Sequence, residues 1–306
     1  MARSNLQIKE FSYTGDGTDN RNITGIGFRP NFVAIKNVSN NSVFRTSVMR
    51  GDSSGFLTSS NGGLSDRIQT MLDDGFQIGT AAQVNTLNQK YYGFAIRGTV
   101  SQKYFKVGNY FGTGVDGRDF TVGGISFTPD FVLIQRISTL AAVFRTSAFT
   151  GDATARFDAN ANAADFIQNL QASGFQLGTS TSVNASGIEY FWFAMKALAG
   201  AFAVGSYVGT AVAKSVTGVG FKPDVVIIKN GSAATQARIL TASMVTDAQT
   251  SLFMGTTATD ANGITSLDTD GFTVGTGNDV NGSGNTCYWM ALKSGNFNAP
   301  LSRTVI

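Results

Sequence analysis

The chain has 306 residues and a formal net charge of +3, from 23 Lys and Arg against 20 Asp and Glu spread without a basic run, so it carries no nucleic-acid footprint. Hydrophobic residues make up 42% and charged residues 14%, with 36 glycines, the balance of an ordered, turn-rich protein. The single cysteine, Cys287, excludes an intrachain disulfide, and the absence of histidine excludes the usual zinc cages and imidazole-dependent serine or cysteine catalysis.

The opening stretch "MARSNLQIKE" has no apolar h-region, and no stretch approaches the roughly 18 apolar residues of a membrane helix. A soluble protein made without a secretion signal is expected. Each subsequent element occurs three times. Near Tyr13 with Gly15, Tyr110 with Gly112 and Tyr207 with Gly209 an aromatic stands two before a glycine. Next comes "GFRPNFVAIKN", "SFTPDFVLIQR" or "GFKPDVVIIKN", which holds three of the four prolines, Pro30, Pro129 and Pro223. Xaa-Pro disfavours helix before it, and the apolar, β-branched run after it predicts a central strand covered on both faces.

"SVFRTSVM" and "AVFRTSAF" alternate with period two, which predicts a half-exposed strand with Arg45 and Arg145 as surface partners or solvated groups. The third copy, from Ala237, aligns only loosely there. The later half aligns without a gap as Ile68–Arg97, Ile167–Lys196 and Ile264–Lys293, each 30 residues long, and the third copy has three extra residues before it. Glycine between apolar stretches, Gly75 with Phe76, Gly174 with Phe175 and Gly271 with Phe272, predicts a tight hairpin. Ile68 and Met71, three apart, call for a bulge or one helical turn there. Asn85, Asn184 and Asn281 recur in the next loop.

The closing strand alternates between two faces. Tyr92, Phe94 and Ile96, with Phe191, Phe193, Met195 and Tyr288, Met290, Leu292, form the expected core face. Tyr91, Gly93, Ala95 and Arg97, with Tyr190, Trp192, Ala194, Lys196 and Cys287, Trp289, Ala291, Lys293, form a mixed face expected to be covered in part. Trp192, Trp289, Tyr91 and Tyr190 are therefore the candidates for an interface or a glycan-stacking platform.

A period of about 95 residues is enough for a complete small domain. The fold class expected is all-β: three tandem antiparallel, jelly-roll-like β-sandwiches over 1–101, 102–200 and 201–295, followed by a tail, 296–306. Short joins, "GTVSQKY" and "ALAGAFA", predict domains in a fixed relation. No catalytic, cofactor or metal residues emerge. "GTGVDG" lacks a P-loop lysine, and Asp52, Asp152, Asp130 and Asp224 fit turn and strand-start caps better than calcium ligands. No carboxylate pair stands out for glycoside hydrolysis, and Cys287 has no base to activate it.

The order YxG, GF.PD.V.IK, FRTS, DGF.(I/V)GT, VN, YYxxA.K resembles a β-rich repeat of structural proteins of tailed bacteriophages, and the resemblance covers nearly the whole chain. It implies a non-enzymatic virion protein of the capsid-decoration, head-fibre or tail-fibre kind, without cofactor, assembled in the host cytoplasm. The implied partners are major capsid or tail proteins, copies of the same chain, or host glycan, and neither nucleic acid nor membrane. With no anchoring region or coiled-coil stalk in the sequence, a compact protein on the head or tail body is expected over a long fibre. The alternative is a receptor-binding protein for host-surface glycan.

Overall fold

A computed structural model of the chain describes residues 5–58, 65–98, 103–121, 124–136, 140–257 and 259–298. Repeat 1 contributes β1 (Asn5–Thr14), β2 (Arg21–Thr24), β3 (Phe32–Asn37), β4 (Val43–Thr46), β5 (Gly55–Phe56), β6 (Ile68–Leu72), β7 (Gly75–Ile78) and β8 (Lys90–Arg97). Repeat 2 contributes β9 (Phe105–Phe111), β10 (Arg118–Phe120), β11 (Phe131–Arg136), β12 (Val143–Thr146), β13 (Ala155–Arg156), β14 (Ile167–Gln171), β15 (Gly174–Leu177) and β16 (Glu189–Met195). Repeat 3 contributes β17 (Phe202–Val208), β18 (Lys214–Thr217), β19 (Val225–Asn230), β20 (Arg238–Thr241), β21 (Leu252–Phe253), β22 (Ile264–Asp268), β23 (Gly271–Val274) and β24 (Thr286–Leu292). Two short helices, α1 (Ala242–Thr246) and α2 (Asn278–Asn281), belong to repeat 3, and β25 (Gly295–Asn298) ends the described chain.

Every repeat is the same antiparallel sandwich. The large sheet of repeat 2 has the order β9-β16-β11-β12-β13 and the small one β10-β15-β14, and repeats 1 and 3 repeat both orders. First strand beside last, and second beside seventh, is jelly-roll wrapping, with the fourth and fifth strands extending the large sheet. The described part of the tail joins a sheet: β25 pairs antiparallel with β1, from Asn5 opposite Asn298 to Ile8 opposite Gly295, and so adds a sixth strand to repeat 1, while 299–306 lie outside the described residues.

Local chemistry sets these elements. Each proline is buried two residues before its strand, and β3, β11 and β19 lie in the middle of the large sheets, as the apolar runs predict. The hairpin glycine is demanded twice over. Gly75 and Gly271 have φ of 137° and 145°, and a Cβ there would strike the carbonyl oxygen of Ile23 or Val216 on the neighbouring strand. The broken periodicity before the hairpin is a bulge in all three copies, between Ile68 and Thr70, Ile167 and Asn169, and Ile264 and Ser266. That extra residue turns both Ile68 and Met71 into the sandwich.

The sandwiches are arranged as a closed ring. The backbone N–H just before the fourth strand donates to the carbonyl just after the fifth strand of the preceding repeat: Ala142 to Leu57 (3.1 Å), Ala237 to Phe157 (2.9 Å) and Ser42 to Met254 (2.8 Å). The third bond returns from repeat 1 to repeat 3, so one head-to-tail contact is used three times and the rotation closes. The large sheets face the middle, where Phe193 meets Phe32 of repeat 1 with ring centroids 4.4 Å apart and Phe131 meets Phe202 of repeat 3 at 6.4 Å. Of the joins, 99–102 lies outside the described residues. In the second, Ala201 N–H closes a turn on Leu198 and its carbonyl accepts from Lys293, which fixes repeat 3 against its own last strand.

This arrangement corrects three expectations. The apolar face of β8, β16 and β24 packs between repeats in the axial core, while the mixed face forms the interior of each sandwich, buried along its length up to the terminal Arg97 and Lys196, which are exposed, and Lys293, which is half-buried. Strands β4 and β12 are buried at all four positions, because their large sheet is covered by its own small sheet on one side and by other repeats on the other. Arg45 and Arg145 are accordingly buried, each 5% exposed, not surface groups.

Candidate functional site

The recurring residues are occupied in holding loops together. Asn85, Asn184 and Asn281 are fully buried, and each side-chain oxygen accepts from a backbone N–H in the loop after the first strand: Asp16, Thr113 and Thr210. Their amide groups donate to carbonyls, Thr18, Val115 and Val212 among them. The first-strand tyrosines complete the clamp, since Tyr13 and Tyr110 donate to the carbonyls of Val84 and Val183 at 2.7 and 2.6 Å, and Tyr207 to that of Val280. The aspartates are caps: Asp130 and Asp224 accept from the backbone of Ala197 and Ser294, and Asp52 and Asp152 from that of Asp66 and Asp165.

The aromatic platform candidates are inside. Trp192 is 0% and Trp289 8% exposed, Tyr91 and Tyr190 are 0%, and Trp192 packs edge-on against Phe120 and Phe175 of the small sheet. None offers a face to a sugar. The physical reason is a cross-strand exchange. Trp192 lies opposite Gly108 and Trp289 opposite Gly205, each indole covering the space a Cβ on that glycine would fill. In repeat 1 the pair is reversed: Gly93 lies opposite Phe11, whose ring takes the vacated volume. Tyr91 and Tyr190 accept from the backbone of Thr86 and Ala185 and donate to Ala82 and Thr181.

The buried arginines act as carbonyl clamps. Arg45 donates to Met49, Gly51 and Ser53, and Arg145 to Gly151 and Ala153, while burial lowers both guanidinium pKa values. Repeat 3 differs. Arg238 stands where repeats 1 and 2 have Val43 and Val143, is 0% exposed, stacks on Phe253 at 3.9 Å, and pairs with Asp279 and, at 2.9 Å, with Asp260. Cys287, in the tyrosine column, is likewise buried, and desolvation pushes its thiol up to about 12.

The junctions between repeats hold buried polar groups that pattern reading passed over. Lys36, Gln135 and Lys229 occupy one column at the end of the central strand, at 2%, 0% and 0% exposure. Lys36 donates to its own Asn40 carbonyl and across the ring to Gly255 (2.7 Å), and Lys229 to its own Thr235 carbonyl and across to Asp158 (3.1 Å). Burial pushes Lys36 down to about 7 and Lys229 down to about 8, the latter partly offset by Asp158. Their signal was in the sequence: a charged or amide head ending an otherwise apolar strand in every copy.

The seam between repeats 3 and 1 carries further contacts. Glu10 accepts from the backbone and hydroxyl of Ser243 in α1, at 3.2 and 3.1 Å, and burial raises its carboxyl pKa. Asp247 accepts from Tyr92 at 3.1 Å and pairs with Lys90 at 3.3 Å. On the outside, exposed apolar side chains cluster at one end of the sandwiches: Leu87 in repeat 1, Phe111 and Val115 in repeat 2, Val208 and Val212 in repeat 3. Among the described residues no three His, Cys, Asp or Glu side chains converge as a metal site, and no helix is long and apolar enough to cross a membrane. A cleft of about 330 Å³ between Gln7, Lys9, Phe28 and Ser294 follows the seam.

A family model described as Domain of unknown function (DUF7483) matches residues 199–304, which takes in repeat 3 and the residues after it. No curated protein matches the chain.

Proposed function

We propose that the chain is a non-enzymatic structural protein of a bacteriophage virion, decorating or cementing the capsid surface or forming part of the tail body. The observation that carries this reading is the closed ring, in which a single chain builds a body of threefold character. Such a body suits a threefold position in a protein shell. Its recurring motif residues are engaged in turns, clamps and core, which leaves recognition to exposed loops. Phe111 and Val115 recur as Val208 and Val212 at the same end of repeats 2 and 3, where repeat 1 has Thr14 and Thr18 and exposes Leu87 instead, and these apolar tips are the surface offered to neighbouring virion proteins. The glycan-binding alternative loses its carriers, because Trp192 and Trp289 are enclosed.

Quantitative mass spectrometry of purified particles tests the reading. The chain is expected at a copy number fixed relative to the major capsid or tail-tube protein, and a Phe111→Ser/Val208→Ser variant is expected to be underrepresented on particles while folding normally. Trace, variable amounts that wash away with salt would overturn it.

A further inference from the structure

Along the sequence the cations are spread without a basic run, but the ring gathers a set of them at one end. The last strand of each repeat finishes in one column of Arg97, Lys196 and Lys293, one residue past the buried Ile96, Met195 and Leu292. Alternation turns this column toward the sandwich interior, and at the rim a long side chain can carry its charged head out to water. Arg97 and Lys196 are exposed, and half-buried Lys293 donates to the Lys222 carbonyl at 3.2 Å.

A rotation that relates the repeats keeps equivalent positions on one side of the ring. The crossings between repeats lie at this same end. A Cβ on Gly98 would meet Phe105, Lys196 N–H donates to the Tyr104 carbonyl, Lys293 N–H donates to that of Ala201, and Ser294 leads into β25 on the edge of β1. Lys9 and Lys103 are exposed beside the crossings, and the residue before the strand proline adds exposed Arg29 and Lys222.

The carboxylates at this end are engaged. Asp130 and Asp224 accept from the backbone of Ala197 and Ser294, Asp74 from Gly25 and Gly27, Asp270 from Gly218 and Gly220, and Asp73 pairs with Arg29 at 3.3 Å. The other end of the same strands is acidic instead, with Asp16, Asp19, Asp116 and Asp119 exposed. A net charge of only +3 therefore hides a polarised body.

We propose that this basic end is a docking face for the carboxylate-bearing surface of another virion protein, an inference that rests on the virion reading above. Cations repeated in all three repeats match a position where acidic groups also recur three times. The interspersed Asp73 and Asp270 decide between anions: carboxylates placed singly on a protein can avoid them, whereas a continuous phosphate backbone meets them as well. The apolar tips lie at the other end of the strands, so the two contacts are separate, and charge orients the body by repelling the acidic end from an acidic surface.

The test adds purified full-length protein to particles assembled without this chain and measures the amount that sediments with them. Wild type is expected to bind saturably, and more weakly as NaCl rises from about 50 to about 300 mM. Arg97→Glu/Lys196→Glu/Lys222→Glu changes one exposed residue in each repeat and should bind about tenfold more weakly or worse, with an unchanged thermal transition. Asp116→Lys/Asp119→Lys, at the other end, should bind as wild type does. Wild type and the triple variant binding equally would overturn the basic face and leave the virion reading standing, whereas wild type that does not bind at all would overturn both. Tighter retention of wild type on a DNA duplex than on particles at the same salt would assign the face to nucleic acid and overturn the proposal. Lys196→Gln/Lys222→Gln, which only removes charge, is read by the same outcomes should the triple variant not fold, with an expected weakening of about threefold.

Discussion

The two faces of β8, β16 and β24 meet different neighbours, and they vary in different ways. On the axial face the classes hold: Tyr92, Phe191 and Tyr288, then Phe94, Phe193 and Met290, then Ile96, Met195 and Leu292. On the sandwich face Gly93 stands against Trp192 and Trp289, and Cys287 against Tyr91 and Tyr190. A sandwich residue can be compensated inside its own repeat, as Phe11 compensates Gly93 and as Asp279 compensates Arg238. An axial residue touches other repeats, so a change has to be answered in more than one place at once.

The largest expected effect is therefore axial. Phe193→Ala removes a ring that contacts Phe32, Phe105 and Phe131, and should cost about 3–5 kcal/mol with all three repeats unfolding in one transition. Calorimetry checks this, and a separate early transition of repeat 2 would break the contrast between the two faces. Asp279→Ser puts the residue of repeat 2 (Ser182) beside the buried Arg238, which keeps only the half-exposed Asp260 as a carboxylate partner, and should cost about 3 kcal/mol. Adding Arg238→Val, the residue of the other repeats, should recover much of the loss in chemical denaturation, since the compensation is local.

Gly93→Trp should cost about 3 kcal/mol or more, because a Cβ there meets the Ala34 carbonyl oxygen of β3 as well as the Phe11 ring. With Phe11→Gly it rebuilds the pairing of repeats 2 and 3, and the double variant should be more stable than Gly93→Trp alone. A double-mutant cycle with no coupling would contradict the exchange. The gentlest test varies pH. Lys36 and Lys229 bind protons less readily when folded, at about 7 and about 8, than when unfolded, near 10.4. The unfolded chain holds more protons within that interval, so stability should rise from pH 7 towards pH 9 and be lowest below pH 7. Lys36→Gln/Lys229→Gln, which copies Gln135, should flatten this slope, and an unchanged slope would remove the lysines as its cause.

Much of the fold was legible because its signals are local. Pro30, the Gly75 hairpin and the Ile68 to Met71 irregularity each announce backbone geometry within a few residues, and all recur. The face assignment was not legible, because alternation says which side chains share a side and not what covers it. An apolar stripe such as Tyr92, Phe94 and Ile96 fits a sandwich interior or a contact between domains equally well. Burial of Arg45 was hidden for the same reason, its partners being backbone carbonyls of loops, and although Lys36 is marked by its place at the end of an apolar strand, its acceptor on another repeat left no mark in the sequence. The seam residues were equally silent, since Glu10 stands out only once Ser243 is known to lie against it.

A cryo-electron microscopy map of the intact particle tests the central claim most directly. The account predicts a compact body of three β-sandwiches at fixed positions on the shell or tail, with the Leu87, Phe111 and Val208 ends against their neighbours. Particles of full composition without density for such a body would contradict it.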